Sequence, residues 1–428
     1  MDERIILHSD CNCFYAAVEM FHNPELRNVP MAVGGDPEAR HGIVLTANYI
    51  AKRRGVKTGM ALWEARKACK DVVFVSPNYD EYIRFSNMAR RIYGEYTDLV
   101  EPYGLDESWI DITSSKHLLG TDTGLSVAKE ISERVKRELG ITVSIGVSWN
   151  KIFSKFGSDY KKPDAITVIS RDNYRDIVWN SAASDLLYVG RRTCLKLRKF
   201  GILTIGDIAM ADPEFLYRIF GKVGYVLSAF ARGEDQTPVA SISDCTPIKS
   251  VGNSTTTPRD LVNNDDVRMV IYLLSESVAA RLRENHFKGD VIGISVRDNG
   301  LYSFTRQHKV KIATNISKEI ATYAYELFKA SYSWEHPIRS VGVRVSNLVP
   351  ETFCYQTDLF LSEALREKNL KADLAVTDIR NRFGYEAVQR GIMFYDKELS
   401  GLDAKADDHM IHPVAYFQNG NKVISGDE

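Results

Sequence analysis

The hydrophobic positions change period several times along the chain, and each change marks an element. Ile5-Ile6-Leu7-His8 is a short apolar run suited to a buried strand that delivers Asp10 to its C-terminal end. Phe14 to Met20 follows a helical period, with Glu19 outside the apolar positions. Leu99-Val100-Glu101-Pro102-Tyr103 and Ser108-Trp109-Ile110-Asp111-Ile112 flank Gly104-Leu105-Asp106-Glu107, which predicts a hairpin with two adjacent carboxylates at or next to its turn. An amphipathic stretch over 125–139 and a strand, Thr142-Val143-Ser144-Ile145-Gly146-Val147, complete the order strand, helix, hairpin, helix, strand. That is the split βαβ plan, in which the two central strands are neighbours and Asp10 comes beside Asp106 and Glu107.

The same order returns later. A strand over 248–257, an amphipathic helix over 265–285 and a strand over 290–297 lead to the strong hairpin turn Asp298-Asn299-Gly300. A strand to His308, a helix over 317–332 and a strand over 339–346 complete a second split βαβ unit. Between the two units, residues 186–209 read as two short helices around a glycine turn, with basic residues on the second. Backbone N–H groups and Lys/Arg at such a turn suit phosphate. A similar unit is expected at Phe220-Gly221-Lys222-Val223-Gly224, and the polar stretch 238–246 reads as a linker. Residues 361–383 read as a helix with an apolar stripe, and the chain is polar from Leu402 onward.

A length of 428 residues predicts two to four domains, and 44% apolar residues supply several cores. No run approaches the roughly 18 apolar residues of a membrane span. The start, Met1-Asp2-Glu3-Arg4, predicts no signal peptide. Six cysteines without a C-x-x-C pair predict free thiols in a reducing cytoplasm and no zinc site. The net charge of −1 is an average over −3 for residues 1–150, +4 for 151–240, +3 for 241–350 and −5 for 351–428. A basic centre of this kind grips a phosphate backbone, or is a solvated surface.

Asp106 and Glu107 taken alone are turn residues, and Asp10 alone is a helix cap. Together they are three carboxylates that repel unless protons or cations intervene. Hard oxygen ligands of this kind suit Mg²⁺, which takes one or two protein carboxylates plus substrate phosphates.

Asp10-Cys11-Asn12-Cys13-Phe14-Tyr15-Ala16-Ala17-Val18-Glu19 resembles the first motif of the Y-family translesion DNA polymerases, the class that includes bacterial polymerases IV and V. Leu105-Asp106-Glu107-Ser108-Trp109-Ile110-Asp111 resembles the second. Thr46-Ala47-Asn48-Tyr49-Ile50-Ala51-Lys52 and the stretch from Asn150-Lys151 to Lys161-Lys162-Pro163 match two more, in the family's order over residues 4–350. The resemblance implies an α+β, multidomain right-hand polymerase. Its palm (1–13 and 80–168) is split βαβ, its fingers (14–79) are small, its thumb (169–240) carries a helix-hairpin-helix, and its little finger (245–350) is split βαβ again.

The resemblance further implies nucleotidyl transfer with two Mg²⁺ ions, Mn²⁺ substituting, and low fidelity and processivity in DNA damage tolerance. Asp10, Asp106, Glu107 and the main-chain carbonyl of Cys11 would hold the metals. Tyr15 would be the steric gate against a 2′-hydroxyl, with Phe14 beside it at the nucleotide or in the core. Thr46, Tyr49, Lys52 and Lys162 would meet the triphosphate. Lys52 stands where many relatives carry arginine, Asn12 where many carry a second aspartate, and Ile43 and Leu45 are bulkier than usual above the nascent base pair. Gly190, Arg191, Lys196, Arg306, Lys309 and Arg344 would meet primer–template DNA, although Tyr188 replaces the first glycine of the usual turn. In the tail, 351–428, Gln356-Thr357-Asp358-Leu359-Phe360 is similar to the peptide by which bacterial polymerases dock on the sliding clamp. Gln356, Leu359 and Phe360 would be its anchors. The expected protein is a cytoplasmic monomer, nucleoid-associated when on DNA. Two rival readings are a DNA- and clamp-binding regulator without catalysis, which would not need the three carboxylates, and a nucleotide cyclase, which would not need residues 186–350. Gly34-Gly35-Asp36-Pro37-Glu38 resembles a cyclase turn but lies away from the Asp106-Glu107 hairpin.

Overall fold

The computed structural model describes residues 3–35, 42–115, 124–242, 248–353 and 363–402, and these divide into two compact units, the first ending at 242 and the second beginning at 248. In the first, β1 (Ile6–Cys11) leads to α1 (Phe14–His22), then to β2 (Met31–Gly34), β3 (Val44–Ala47), α2 (Tyr49–Arg53), α3 (Leu62–Ala68) and β4 (Val73–Val75). Next come α4 (Tyr79–Gly94), the hairpin β5 (Val100–Pro102) and β6 (Glu107–Asp111), and α5 (Gly124–Leu139). β7 (Val143–Ser148), α6 (Lys151–Tyr160) and β8 (Ile166–Val168) follow.

The main sheet has the order β5-β6-β1-β7-β8, the expected split plan with β8 added parallel to β7. Every residue of β1 is buried because helices cover both faces of the sheet. Leu7, Ser9 and Cys11 point to the side of α4 and α5, where the Ser9 hydroxyl lies 3.0 Å from the Tyr93 hydroxyl. Ile6, His8 and Asp10 point the other way, toward α6, by the period of two along a strand. α6 can approach because Gly146 of β7 faces it: a Cβ there would sit 1.9 Å from the Ser154 carbonyl oxygen. A smaller sheet, β3-β2-β4, packs with α2 and α3 around Ala32, Val44, Ala51 and Leu62.

Four helices follow: α7 (Arg191–Arg198), α8 (Ile205–Met210), α9 (Pro213–Phe220) and α10 (Lys222–Arg232). Their core continues that of α6 through Trp149, Phe153 and Phe156.

The second unit holds β9 (Ser250–Leu261), α11 (Asn264–Glu284), β10 (Phe287–Asp298), β11 (Ser303–Thr314), α12 (Ser317–Ser331) and β12 (Ile338–Pro350). The order β11-β10-β12-β9 is again doubly split, but its middle strands are the second and fourth, whereas the first sheet has its first and third there. α13 (Glu363–Phe383) and α14 (Lys397–Ser400) complete the unit.

The apolar stripe expected on the helix over 361–383 is not what seats α13. Its buried residues are Arg366 and Asp373. Arg366 bonds Glu319 at 2.8 Å, Asp373 accepts from the Ser317 hydroxyl and amide at 2.7 Å, and Arg380 bonds Glu276 at 2.9 Å. Farther on, Asp396 joins Arg259 and the fully buried Asp266 in a three-membered ion cluster.

Burial raises the Asp266 carboxyl, but the two Arg259 bonds at 2.8 and 2.9 Å and the Val262 amide outweigh it and hold the group below the usual carboxylate range. A depressed pKa contributes stability above the unfolded-state value, and that contribution disappears as pH falls through the folded-state value. Asp266→Asn should therefore destabilise the second unit by about 2 kcal/mol at neutral pH. Chemical denaturation at pH 7 and near pH 3 checks this, with the difference between variant and wild type shrinking at the acid end.

Candidate functional site

Asp10, the next-to-last residue of β1, lies directly opposite Glu107, the first residue of β6, and the Cys11 amide donates to the Asp106 carbonyl at 3.0 Å. Cross-strand partners point to the same face, so Asp10 and Glu107 both look toward α6. That helix answers with lysines. Lys151 Nζ lies 2.6 Å from Glu101, Lys155 Nζ binds Glu107, and Lys162, just past the helix, lies 2.6 Å from Asp10 Oδ2. His8 stands between the strand and α6, its Nδ1 2.8 Å from the Ser158 hydroxyl and its Nε2 3.3 Å from Glu107 Oε2.

The three carboxylates differ in charge preference. Burial pushes Asp10 up, Lys162 pulls it back, and Glu107 and Asp106 add repulsion, leaving it raised. Asp106 is pushed up to about 6, by burial first and by Glu107 second. Glu107 goes the other way: burial disfavours its charge, but His8 and Lys155 outweigh that and hold it low. Among the described residues, no three carboxylate, imidazole or thiol groups converge as a preformed metal cage.

The turn that carries Asp106 and Glu107 is fixed from behind by α4. The Ser86 hydroxyl donates to the Leu105 carbonyl, and Arg90 Nη2 donates to the Gly104 carbonyl at 2.6 Å. Gly104 has φ +95°, which favours glycine. On the other side, Asn12 ties the β1–α1 turn to its surroundings. Its Oδ1 accepts from Ser144 at 2.8 Å and from the Tyr49 hydroxyl at 3.3 Å, and its amide donates to Thr142 at 3.0 Å.

Tyr15 is stacked on Tyr82 at 4.3 Å and meets the edge of Tyr79 at 5.9 Å. Phe14 is 2% exposed and fills the core behind it. The Cys11 side chain is buried, and burial together with the nearby Asp106 and Asp10 carboxylates raises its thiol well above the usual range. Thr46 is half-buried on β3, Tyr49 opens α2, and Lys52 Nζ lies 4.9 Å from the centre of the Tyr49 ring. Asn48 caps α2 by accepting from the Ala51 amide at 3.0 Å.

Farther off, Gly190 begins α7 without a side-chain cap, and Gly221, with φ +64°, begins α10 the same way. Tyr188 takes φ +71°, the left-handed region that a glycine fills in the usual turn; its ring lies against Phe230. Arg191 is exposed, but Lys196 is engaged internally, donating to the Ile219 carbonyl at 2.6 Å.

In the second unit, Arg344 sits opposite Gly293, and Gly293 opposite Gln307, on the sheet face that α11 and α12 leave open. Lys309 shares that face and pairs with Asp290 at 3.4 Å. Arg306 does not: it is the partner of the buried Ile294 and lies over Phe304, on the helix side. Arg297, two residues beyond Ser295, is exposed on the open face and was not among the expected contacts. Gln356, Leu359 and Phe360 lie outside the described residues.

Sequence reasoning also missed Lys155, His8, Ser86 and Arg90. The signal was available for two pairs, since Lys151/Lys155 and Ser86/Arg90 each stand at i, i+4 on one helix face.

Two family models match the chain in sequence order. The impB/mucB/samB family covers residues 9–159, and the impB/mucB/samB family C-terminal domain covers 248–359. A DNA polymerase IV of Acetivibrio thermocellus is 50% identical over 401 residues, 94% of this chain and 100% of the relative. DNA polymerase IV 1 of Bacillus subtilis is 34% identical over 397 residues, 92% of this chain and 94% of the relative. In solved structures, a Y-family DNA polymerase chimera superposes with TM-score 0.73 at 23% identity, covering 81% of this chain and 99% of that one. With that identity along the whole of a polymerase IV, the chain belongs to the impB/mucB/samB family of Y-family DNA polymerases.

Proposed function

We infer that the protein is a template-dependent DNA polymerase acting in translesion synthesis, with primer–template DNA and deoxynucleoside triphosphates as its substrates. The observation that carries the assignment of its active centre is the direct pairing of Asp10 with Glu107, with Asp106 beside them and Tyr15, Tyr49 and Lys162 around them. The primer 3′-hydroxyl oxygen bonds to the α-phosphorus of the nucleotide, the bond to pyrophosphate breaks, and the hydroxyl proton is given up.

Y-family polymerases require divalent metal, and the residues fit it. Asp10 and Asp106 are buried oxygen donors whose charge is opposed by their neighbours, an arrangement that favours exchange of a proton or an ammonium for a hard cation. Asp10, Asp106, Glu107 and the Cys11 carbonyl would hold two Mg²⁺, with Mn²⁺ as a substitute, and these ions stabilise the attacking and leaving oxygens when bound.

The chain's own groups do the rest. Lys155 keeps Glu107 ionised next to the primer terminus, and His8, an imidazole that burial holds in its neutral form, packs beside the pair. Lys162 and Lys52, two point charges with the Thr46 and Tyr49 hydroxyls beside them, take the triphosphate. Tyr15 cannot turn aside because Tyr82 and Tyr79 hold its ring, so a 2′-hydroxyl meets a fixed aromatic wall.

In this reading the palm spans 1–13 and 80–168, the fingers 14–79, the thumb 169–240 and the little finger 245–350. Gly190, Arg191, Lys309 and Arg344 touch DNA phosphates independently of sequence, and such binding weakens with salt. Docking on a sliding clamp through Gln356, Leu359 and Phe360 is part of the same reading, as is action as a monomer.

Asp106→Ala and Glu107→Ala should each abolish extension of a labelled primer while leaving primer–template affinity within a few-fold of wild type; loss of binding alone would sink the assignment. Tyr15→Ala should admit ribonucleotides, read as a fall of about 100-fold or more in the deoxy/ribo ratio of kcat/KM, on the order of 3 kcal/mol. Arg90→Ala frees the turn under Asp106 and should lower kcat about tenfold with little change in KM for DNA. Arg90→Lys, which keeps one donor for the Gly104 carbonyl, should recover part of it.

A further inference from the structure

The strip of the first unit between β3 and β4 carries a charge that the chain's averages conceal. Residues 42–75 hold seven Lys or Arg against only Glu64 and Asp71, a net charge of +5. Arg54 is taken up by Asp71 at 2.6 Å. Arg53, Lys57, Lys67 and Lys70 are exposed and form no ion pair with a described carboxylate.

In the middle of this strip stands Trp63, 70% exposed. The other four tryptophans are buried or half-buried, and each indole N–H is bonded: Trp109 to the Lys151 carbonyl, Trp149 to Gly233, Trp179 to Ala231 and Trp334 to Asn264. Trp63 alone has neither cover nor a hydrogen bond among the described residues. α3 sets this orientation. Leu62, Ala65 and Cys69 turn inward to the core of the small sheet, so Trp63 and, four residues on, Lys67 must turn outward.

We propose that Trp63 is a stacking platform for an unpaired template base 5′ of the coding position, with Lys67 and its basic neighbours taking the flanking phosphates. A duplex buries its base faces, whereas a single strand presents one with every nucleotide, and base–aromatic stacking beside lysines is how such strands are held. Lysine decides against a protein partner on this face, because interfaces are depleted of lysine and Lys67 stands one helical turn from the ring. The proposal rests on the polymerase reading for the origin of the strand: the same strip carries Thr46 and Tyr49, and Tyr49 bonds Asn12 at 3.3 Å beside the carboxylates.

The test is fluorescence anisotropy on one labelled hairpin duplex carrying a 5′ overhang of either a single nucleotide or about ten nucleotides. Wild type should bind the long overhang roughly tenfold more tightly, Trp63→Ala should lose that preference, and Trp63→Phe should keep most of it. An overhang preference unchanged in Trp63→Ala, or absent from wild type, would overturn the proposal, and the first result would make the exposed ring a protein-docking feature instead. Primer extension by wild type, run in parallel, reports on the polymerase reading separately: the platform is judged on the binding difference alone.

Discussion

Two carboxylates are placed opposite each other on neighbouring strands of a buried sheet, and much of the first unit follows from keeping them there. The register that pairs Asp10 with Glu107 also pairs Ile6 with Asp111, so a one-residue slip would turn Asp10 from the α6 face to the α4 face. Buried like charges a few ångströms apart repel by several kcal/mol at protein-like dielectric, so the register needs compensation from both faces. α6 supplies it from one side with a row of ammonium groups, and its approach depends on Gly146. α4 supplies it from the other by bonding the carbonyls of Gly104 and Leu105, which stops the turn from relaxing away.

The compensation is unequal, and the inequality has a chemical use. Glu107 is served by Lys155, which is fixed in the middle of a helix, and by His8 inside the sheet. Asp10 is served by Lys162, which stands beyond the helix end and is shared with Asp159 at 2.8 Å. The first pairing is hard to exchange and the second is easy. In the polymerase reading proposed above, this division would keep the charge of Glu107 in place while Lys162 could exchange Asp10 for a phosphate.

The split plan of the main sheet was legible because its strands alternate cleanly with helical stretches and because the hairpin turn is marked by Gly104. The resemblance singled out Asp10, Asp106, Glu107 and Tyr15, and the topology predicted the neighbouring strands that place Asp10 opposite Glu107. What was hidden depended on register or on tertiary partners. Arg306 and Arg344 look equivalent in sequence, yet Ile294 as partner sends one to the helix side and Gly293 as partner leaves the other open. α13 read as apolar because leucines recur along it, but its seat is a set of ion pairs with Glu319 and Glu276 and a hydrogen bond from Ser317, partners that lie 47 to 104 residues away. Tyr188 hid a left-handed turn because a bulky residue occupies a position where glycine is the usual signal, at a strain of about 1–2 kcal/mol.

Charge averaged over long blocks misleads in the same way. Residues 1–150 sum to −3, which taken by itself argues against a polyanionic substrate. The fold separates part of that sum in space: Asp10, Asp106 and Glu107 stand at one end of the main sheet beside Lys155 and Lys162, and seven of the bases lie on the strip from 42 to 75. A surface meets its ligand over about a Debye length, roughly 8–10 Å, and not over the whole domain. What a nucleic acid strand encounters on α2 and α3 is therefore the local +5, with one indole ring standing in it. The strip and the Asp10–Glu107 pair are linked through Tyr49, whose hydroxyl donates to Asn12 Oδ1 at 3.3 Å, so an acidic block average is compatible with a locally basic face.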